Sequence, residues 1–246
     1  LVDQLSGRTL GLRADTTPQV ARIDAHLLNR EGVARLAYCG PVLHARADGA
    51  LASRELQQFG AEVYGHAGLE ADLEVIDLAL DSLSSAGMTD VMLDLGDARV
   101  LHALLGGAIL DDERLIELAR ALASKDAAAL ALVSEELQPE TRAGLQSLLR
   151  LYGGNEVLNA ARRTLPTREP IGRALDDLAW LAAHVERAHP QVRIVFDLAD
   201  LSGYAYYSGP RFSVYAAGNN AALARGGRYD EVGAVFGRNR PAVGFS

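Results

Sequence analysis

Residues 38–65 read YCGPVLHARADGALASRELQQFGAEVYG. Apolar residues recur at alternate positions on both sides of a polar break, which is typical of two β-strands joined by a turn. We therefore predict an antiparallel pair of strands over 34–46 and 53–65, with the turn at Ala47–Ala52. This pair is the best-marked sheet element of the chain, and the other strands are assigned around it.

One face of the second strand carries residues that could form a binding site. Gln58 and Glu62 flank Gly60 on that face, because side chains alternate along a strand. An amide and a carboxylate beside a small residue can form the floor of a polar pocket. The same alternation also fits a strand face that is simply exposed to water, so the pattern alone leaves both interpretations open.

The composition is that of a soluble globular protein, and it narrows the classes of partner. The chain has 246 residues, 49% of them hydrophobic, and contains no apolar run long enough for a membrane span, so we expect no membrane partner. A net charge of −8 with scattered arginines argues against nucleic acid, which binds basic surfaces. The single cysteine, Cys39, lies in an apolar strand, where we expect it to be buried; it excludes a disulfide framework and fits the cytoplasm.

The rest of the chain alternates between strand-like and helical segments. Thr17 and Pro18 form a typical helix start with Thr17 as the N-cap, and this helix is predicted to reach about Asn29. Arg228 and Asp230 look like an ordinary ion pair at a turn. We predict a helix over 69–85, strands over 8–13, 91–95, 192–198, 224–229 and 242–246, and a strand–turn–strand over Tyr204–Ala217.

Residues 98–189 are rich in alanine and leucine and are predicted to form several short helices. We interpret them as a helical lobe inserted into a sheet domain made of residues 1–97 and 190–246. Strands, then helices, then strands again predict an α+β fold with an antiparallel sheet flanked by helices. The chain starts and stops within this pattern, so we expect further sequence on both sides.

Few residues outside the strand face carry recognisable chemistry. Asp15 and Thr17 surround a helix start, where capping is the alternative role. Tyr206 and Tyr207 are expected to point to opposite faces of a strand, and simple packing is their alternative role. The histidines and the cysteine lack the spacing of a metal site, and no serine-nucleophile motif occurs. A hydrolase or a metalloenzyme therefore has little support, and we expect no metal and no cofactor.

Four segments of the chain repeat the pattern of a known family in the same order. They are LRADTTPQVAR at 12–22, GPVLHAR…RELQQFGAEVYG at 40–65, YAYYSGPRF at 204–212 and RGGRYDEVGAVFG…PAVGFS at 225–246. Together they resemble the histidyl-tRNA synthetase branch of the class II aminoacyl-tRNA synthetases. Several ordered matches over most of the chain make this resemblance more specific than any single motif, and it implies the class II synthetase fold.

The resemblance also implies a binding site for histidine. A zwitterionic histidine needs an anion for its ammonium group and an acceptor for a ring N–H. By position in the family, a carboxylate and a threonine hold the amino acid, while a glutamate and a tyrosine contact its imidazole. The implied histidine-binding residues are Asp15, Thr17, Gln58, Glu62, Tyr207 and Tyr229.

The departures from the family concern ATP. His44 stands where the family has an arginine that binds ATP, and Ser202 stands at the position of a second catalytic arginine. Arg46 replaces a nearby glutamate, and Leu56 replaces the aromatic residue that stacks on adenine. Adenylate formation requires permanently charged guanidinium groups on the phosphate, so we expect the ATP half of the site to be lost.

This combination is similar to the regulatory subunits of ATP phosphoribosyltransferase, which are synthetase-like proteins of histidine biosynthesis. The resemblance implies a non-catalytic cytoplasmic protein that binds L-histidine and forms dimers. It also implies a hetero-octamer with a short-form catalytic subunit, in which catalysis belongs to that partner. Two alternatives stay open, a divergent histidyl-tRNA synthetase and a synthetase-like scaffold without a ligand.

Overall fold

A mixed β-sheet forms the centre of the computed structural model, which describes residues 2–47, 52–108, 110–200, 203–218 and 221–246. In these residues the sheet has eight strands in the order β1-β2-β8-β7-β6-β3-β5-β4. The strands are Ala34–Leu43 (β1), Glu55–Tyr64 (β2), Val91–Asp97 (β3), Tyr152–Gly153 (β4), Arg193–Asp197 (β5), Pro210–Ala216 (β6), Ala222–Arg228 (β7) and Ala242–Phe245 (β8). The predicted β1–β2 pair is confirmed, with Glu62 opposite Leu36.

The sheet is antiparallel apart from one pair within the described strands. β3 and β5 run parallel, whereas β3 pairs with β6 in the antiparallel direction. The predicted antiparallel sheet thus also contains one parallel pair. The physical reason is the long helical segment between β3 and β5, because only a crossover connection can return the chain to start a parallel neighbour.

Helices cover one face of this sheet. The predicted helix over 69–85 is confirmed as α2, and it packs against α8 and the sheet. The first helix continues as one π-helical segment, Ile23–Leu28, and ends at Asn29 in the left-handed conformation. The α-helices are Thr17–Arg22 (α1), Leu69–Ser85 (α2), Ala98–Leu105 (α3), Asp112–Ala123 (α4), Ala127–Val133 (α5), Pro139–Leu148 (α6), Glu156–Thr164 (α7) and Glu169–Ala188 (α8).

The main core lies between these helices and the sheet. Leu93 of β3 and Val214 of β6 are fully buried in one cluster with residues of α2 and α8. Because side chains alternate, Glu62 on β2, Arg211 on β6 and their neighbours point to the opposite face, where α1 packs against Tyr64 and Tyr229 in a smaller cluster. The division into a sheet domain and a helical lobe stays a prediction; β4, inside the helical segment, pairs with β5 of the sheet.

Two predicted strands are wrong. Residues 8–13 form no strand; this segment contributes one residue to an isolated bridge between Val2 and Thr9, and most of its side chains are exposed. Residues 203–206 form a turn, so the first strand predicted within Tyr204–Ala217 is not formed there and the strand that follows is β6. In both places the alternating residues pair with no strand of the described residues, and pairing is what stabilises a strand.

Two smaller predictions are wrong, and a third lies partly outside the described residues. Thr16, not Thr17, occupies the N-cap position of α1, and its side chain forms no capping hydrogen bond. Cys39 is exposed rather than buried, because it lies on the edge strand β1 beyond the cover of the helices. Of the predicted turn at Ala47–Ala52, residues 48–51 lie outside the described residues.

Candidate functional site

A cavity of about 300 Å³ opens on the face of the sheet opposite α2 and α8. That volume lies at the small end of the range for small-molecule pockets. Its walls come from the start of α1, from β2, β6, β7 and β8, and from the turn before β6. Most of the residues predicted to bind histidine line this cavity, namely Asp15, Thr17, Glu62, Tyr207 and Tyr229.

Glu62 is a buried carboxyl group in this cavity, with only 1% of its surface exposed. Its Oε1 accepts hydrogen bonds from Thr17 Oγ1 at 3.0 Å and from the hydroxyl of Tyr38 at 3.1 Å. Its Oε2 accepts a hydrogen bond from the hydroxyl of Tyr229. Burial raises the pKa of Glu62 to about 7, although these three hydrogen bonds oppose the rise. The carboxyl group can therefore gain or lose a proton near neutral pH.

Glycines provide the space in which Glu62 lies. Gly244 of β8 stands directly opposite Glu62, and a Cβ atom there would overlap the Glu62 carboxyl group. Gly60 lies two residues before Glu62 on β2, on the same face, and a Cβ atom there would overlap the hydroxyl of Tyr38. The two long side chains can therefore lie across the sheet only because neighbouring positions lack a side chain.

Asp15 forms the anionic rim of the cavity, and Gln58 positions it. Asp15 Oδ1 accepts hydrogen bonds from Gln58 Nε2 at 2.9 Å and from the backbone N–H of Thr17 at 3.1 Å. Gln58 Oε1 also accepts a hydrogen bond from the backbone N–H of Thr16 at 2.9 Å. Gln58 itself is not among the residues that line the cavity. It therefore acts by holding Asp15 and the start of α1 against β2.

Three tyrosines form an aromatic wall. The ring of Tyr206 stacks on that of Tyr229 with centroids 4.9 Å apart, and meets that of Tyr207 edge-on at 5.1 Å. Tyr206 and Tyr207 both line the cavity, so the prediction that they point to opposite faces is wrong. The reason is that both rings extend from a turn, where strand alternation does not apply. Burial raises the pKa of both hydroxyl groups, so they stay protonated at neutral pH.

The sequence interpretation missed Tyr38 and the arginines of the site. Tyr38 lies on the predicted first strand of the hairpin, and the structure pairs it with Gly60 of β2. Arg211 and Arg225 both line the cavity, on β6 and β7. Both belong to segments that carry the family resemblance, at 204–212 and 225–246, but the sequence indicated no binding role for them, because their convergence depends on the register between β6 and β7.

Arg228 is also more than the exposed ion pair predicted for it. It is buried and donates to Asp72 of α2, with Nε 3.1 Å from Oδ2, while Asp230 lies 3.3 Å from Nη1. It also donates to the carbonyl oxygen of Gly68 at 3.0 Å. Burial raises the pKa of Asp72 to about 6 despite the adjacent guanidinium. This ion pair holds β7, and with it the neighbouring Tyr229, against α2.

Comparison with known proteins assigns the fold. The family model described as histidyl-tRNA synthetase matches residues 1–246. The chain belongs to the histidyl-tRNA synthetase family. Its structure is similar to that of an "ATP phosphoribosyltransferase regulatory subunit/histidyl-tRNA synthetase" from Bacillus halodurans, with a TM-score of 0.84 and 33% identity over 100% of this chain and 64% of that one. The predicted class II synthetase fold is therefore confirmed.

Curated relatives in the histidyl-tRNA synthetase family are named ATP phosphoribosyltransferase regulatory subunit. The chain is 59% identical to the one from Verminephrobacter eiseniae over 100% of its own length and 63% of that relative. It is 60% identical to the one from Variovorax paradoxus, over 100% of this chain and 64% of the relative. The chain thus spans less than two thirds of the length of these relatives.

Three of the four positions at which this chain departs from the histidyl-tRNA synthetase pattern lie away from the cavity lining. His44 follows the last residue of β1, Arg46 is exposed beyond it, and Leu56 near the start of β2 is 38% exposed. None of these three lines the cavity. Ser202 lies outside the described residues. In the described part of the chain no group of three or more His, Cys, Asp or Glu side chains is arranged to hold a metal ion.

Proposed function

We propose that the cavity binds L-histidine and that the chain acts as part of a non-catalytic regulatory subunit of ATP phosphoribosyltransferase. The observation that carries the proposal is the buried carboxyl group of Glu62, poised near neutral pH, in the same cavity as the anionic Asp15. The names of relatives 55–60% identical over the whole chain support the same function.

Each part of a histidine molecule has a matching group in the cavity. The ammonium group binds Asp15, whose Oδ2 has no hydrogen-bond partner among the described residues. A ring N–H donates to Glu62, because a buried carboxylate is a strong acceptor for an imidazole proton. The rings of Tyr206, Tyr207 and Tyr229 enclose the imidazole. Histidine is thereby preferred over amino acids that cannot donate to Glu62.

Histidine bound here regulates a catalytic partner rather than a reaction in this chain. We propose that the short-form catalytic subunit of ATP phosphoribosyltransferase joins this protein in a cytoplasmic hetero-octamer. There it catalyses the first step of histidine biosynthesis and is activated and feedback-regulated through this subunit. None of the described helices could span a bilayer. The alternative, a divergent histidyl-tRNA synthetase, rests on the family match and has less support, because the relatives that match the whole chain are named as regulatory subunits.

Calorimetric titration with L-histidine tests the proposal. The wild-type protein is expected to bind, and Glu62→Ala is expected to weaken binding about 10- to 100-fold, the value of one lost hydrogen bond to a charged group. Tyr207→Phe is expected to weaken it less. Tyr215→Phe is the matched control for Tyr207→Phe. Tyr215 lies on the same face of β6 as Arg211, but it does not line the cavity.

Two assays separate the alternatives. Restoration of histidine inhibition to a short-form catalytic subunit supports the regulatory role. Histidine-dependent exchange between ATP and pyrophosphate would instead establish the synthetase. If histidine does not bind, alone or with the catalytic subunit present, the chain is a scaffold and the proposal is wrong.

A further inference from the structure

Of the two arginines that line the cavity, only one is available to a ligand. Arg211 is buried and already paired: its Nη1 lies 2.7 Å from Asp200 Oδ2, and its Nη2 donates to the carbonyl oxygens of Asp197 and Asp200. Arg225 is exposed on β7, and its guanidinium has no hydrogen bond or ion pair to any described residue. The described lining of the cavity therefore contains one cationic group without a partner among the described residues.

The strand register places this free cation at a defined distance from Glu62. Arg225 is paired with Ser246 of β8, two residues beyond Gly244, the residue opposite Glu62. β2 and β7 flank β8, so the two Cα atoms are separated by two strand spacings and two residues, which is about 12 Å. Both residues line the cavity, so one ligand bound there can reach the carboxyl group and the guanidinium group.

The charges in the cavity fit a zwitterion with a polar side chain. Asp15 provides an anion at the rim, Glu62 a carboxyl group in the interior, and Arg225 a permanent cation. Arg225 also lies close enough to Tyr207 for its positive charge to lower the pKa of that hydroxyl group, against the larger opposite effect of burial. The cation thus faces the aromatic wall rather than bulk solvent alone.

We propose that Arg225 binds the α-carboxylate of the amino-acid ligand and makes a free carboxylate a requirement for binding. This inference rests on the proposed histidine site and deepens it by naming the residue that selects the acid. A guanidinium group donates two parallel hydrogen bonds to a carboxylate, so it distinguishes this group from an alcohol. Analogues with the same imidazole and ammonium groups but no carboxylate are rejected.

Calorimetry with L-histidine and L-histidinol tests the role of Arg225, because histidinol replaces the carboxylate by an alcohol. Wild-type protein is expected to bind histidinol about 10- to 100-fold more weakly than histidine, the value of a charge-assisted hydrogen-bond pair. Arg225→Gln is expected to weaken histidine binding by the same factor and to leave histidinol binding unchanged. Arg193→Gln is the matched control, an exposed arginine on β5 outside the cavity.

The outcomes separate this inference from the function on which it rests. If neither compound binds the wild-type protein, the proposed histidine site fails. If histidine binds but Arg225→Gln preserves the preference for histidine over histidinol, the site stands and Arg225 is not its carboxylate ligand. Titration with inorganic phosphate identifies the anion: phosphate binding that requires Arg225, with the preference for histidine unchanged in the variant, overturns the carboxylate assignment.

Discussion

Replacing Glu62 with glutamine should remove a pH-dependent loss of stability from the folded protein. Glutamine has the same shape, and its carbonyl oxygen can accept the hydrogen bonds that Thr17 and Tyr38 donate to Oε1. Its amide group can donate to the hydroxyl of Tyr229, which lies 3.3 Å from that of Tyr64 and can donate to it. The substitution therefore removes the ionisable group and preserves the packing.

The magnitude follows from the pKa of Glu62, which burial raises from 4.5 to about 7. Between these values the folded protein holds a proton that the unfolded chain has released. The stabilisation is thus fully present below about pH 4.5 and is lost as the pH rises through 7. From about pH 5 to about pH 8, the loss is about 2.5 kcal/mol of the free energy of unfolding. Glu62→Gln lacks this contribution, so its advantage over the wild-type protein should grow by that amount.

Denaturant unfolding of both proteins at the two pH values measures this effect. Burial also raises the pKa of Asp72 to about 6 and of Asp94 to about 7, so the wild-type pH dependence alone is not diagnostic. The difference between wild type and variant cancels both groups, because each protein contains them. A difference that stays constant from about pH 5 to about pH 8 would show that Glu62 titrates normally and refute the reasoning.

Two further substitutions test the support of the site. Arg228→Met should lower the free energy of unfolding by about 3–5 kcal/mol in denaturant titrations, because it leaves Asp72 buried without its cation. Adding Asp72→Leu should recover most of this loss. A double variant as unstable as Arg228→Met would contradict the explanation. Gly244→Ala should displace the Glu62 side chain and weaken both stability and histidine binding, measured by thermal unfolding and calorimetry. The matched control Gly172→Ala, with open space around its Cβ position, should be neutral or stabilising; equal losses in both variants would refute the argument.

Local pattern was sufficient where the neighbours of a residue in space are also its neighbours in sequence. The β1–β2 pair and α2 were predictable because alternation and helical periodicity are local signals. The placement of Glu62 and Gln58 on one strand face followed from the same alternation. The depth of Glu62 was not predictable, since it depends on Gly244, a residue of β8 that is distant in sequence.

The errors occurred where a local signal had two physical interpretations. A run of tyrosines such as Tyr206 and Tyr207 is typical of strands, but here it forms a turn that directs both rings into one cavity. Arg228 and Asp230 have the spacing of an exposed pair, yet the main partner of the arginine is Asp72, which no local pattern connects to it. Both outcomes depend on how β7 and the turn before β6 pack on distant elements.

The burial of the Glu62 carboxyl group is explained better by ligand binding than by the stability of the fold. Burying this carboxyl group destabilises the folded protein at neutral pH, and an apolar side chain at the same position would avoid that loss. Three hydroxyl donors and two glycines nevertheless hold it in the cavity, which is more structure than a merely tolerated charge requires. A ligand that brings its own proton to Glu62, as an imidazole does, would offset the loss on binding. The destabilisation of the free protein would then be relieved on binding, which raises the affinity and selectivity for that ligand. Such an exchange of stability for function is expected at a functional site.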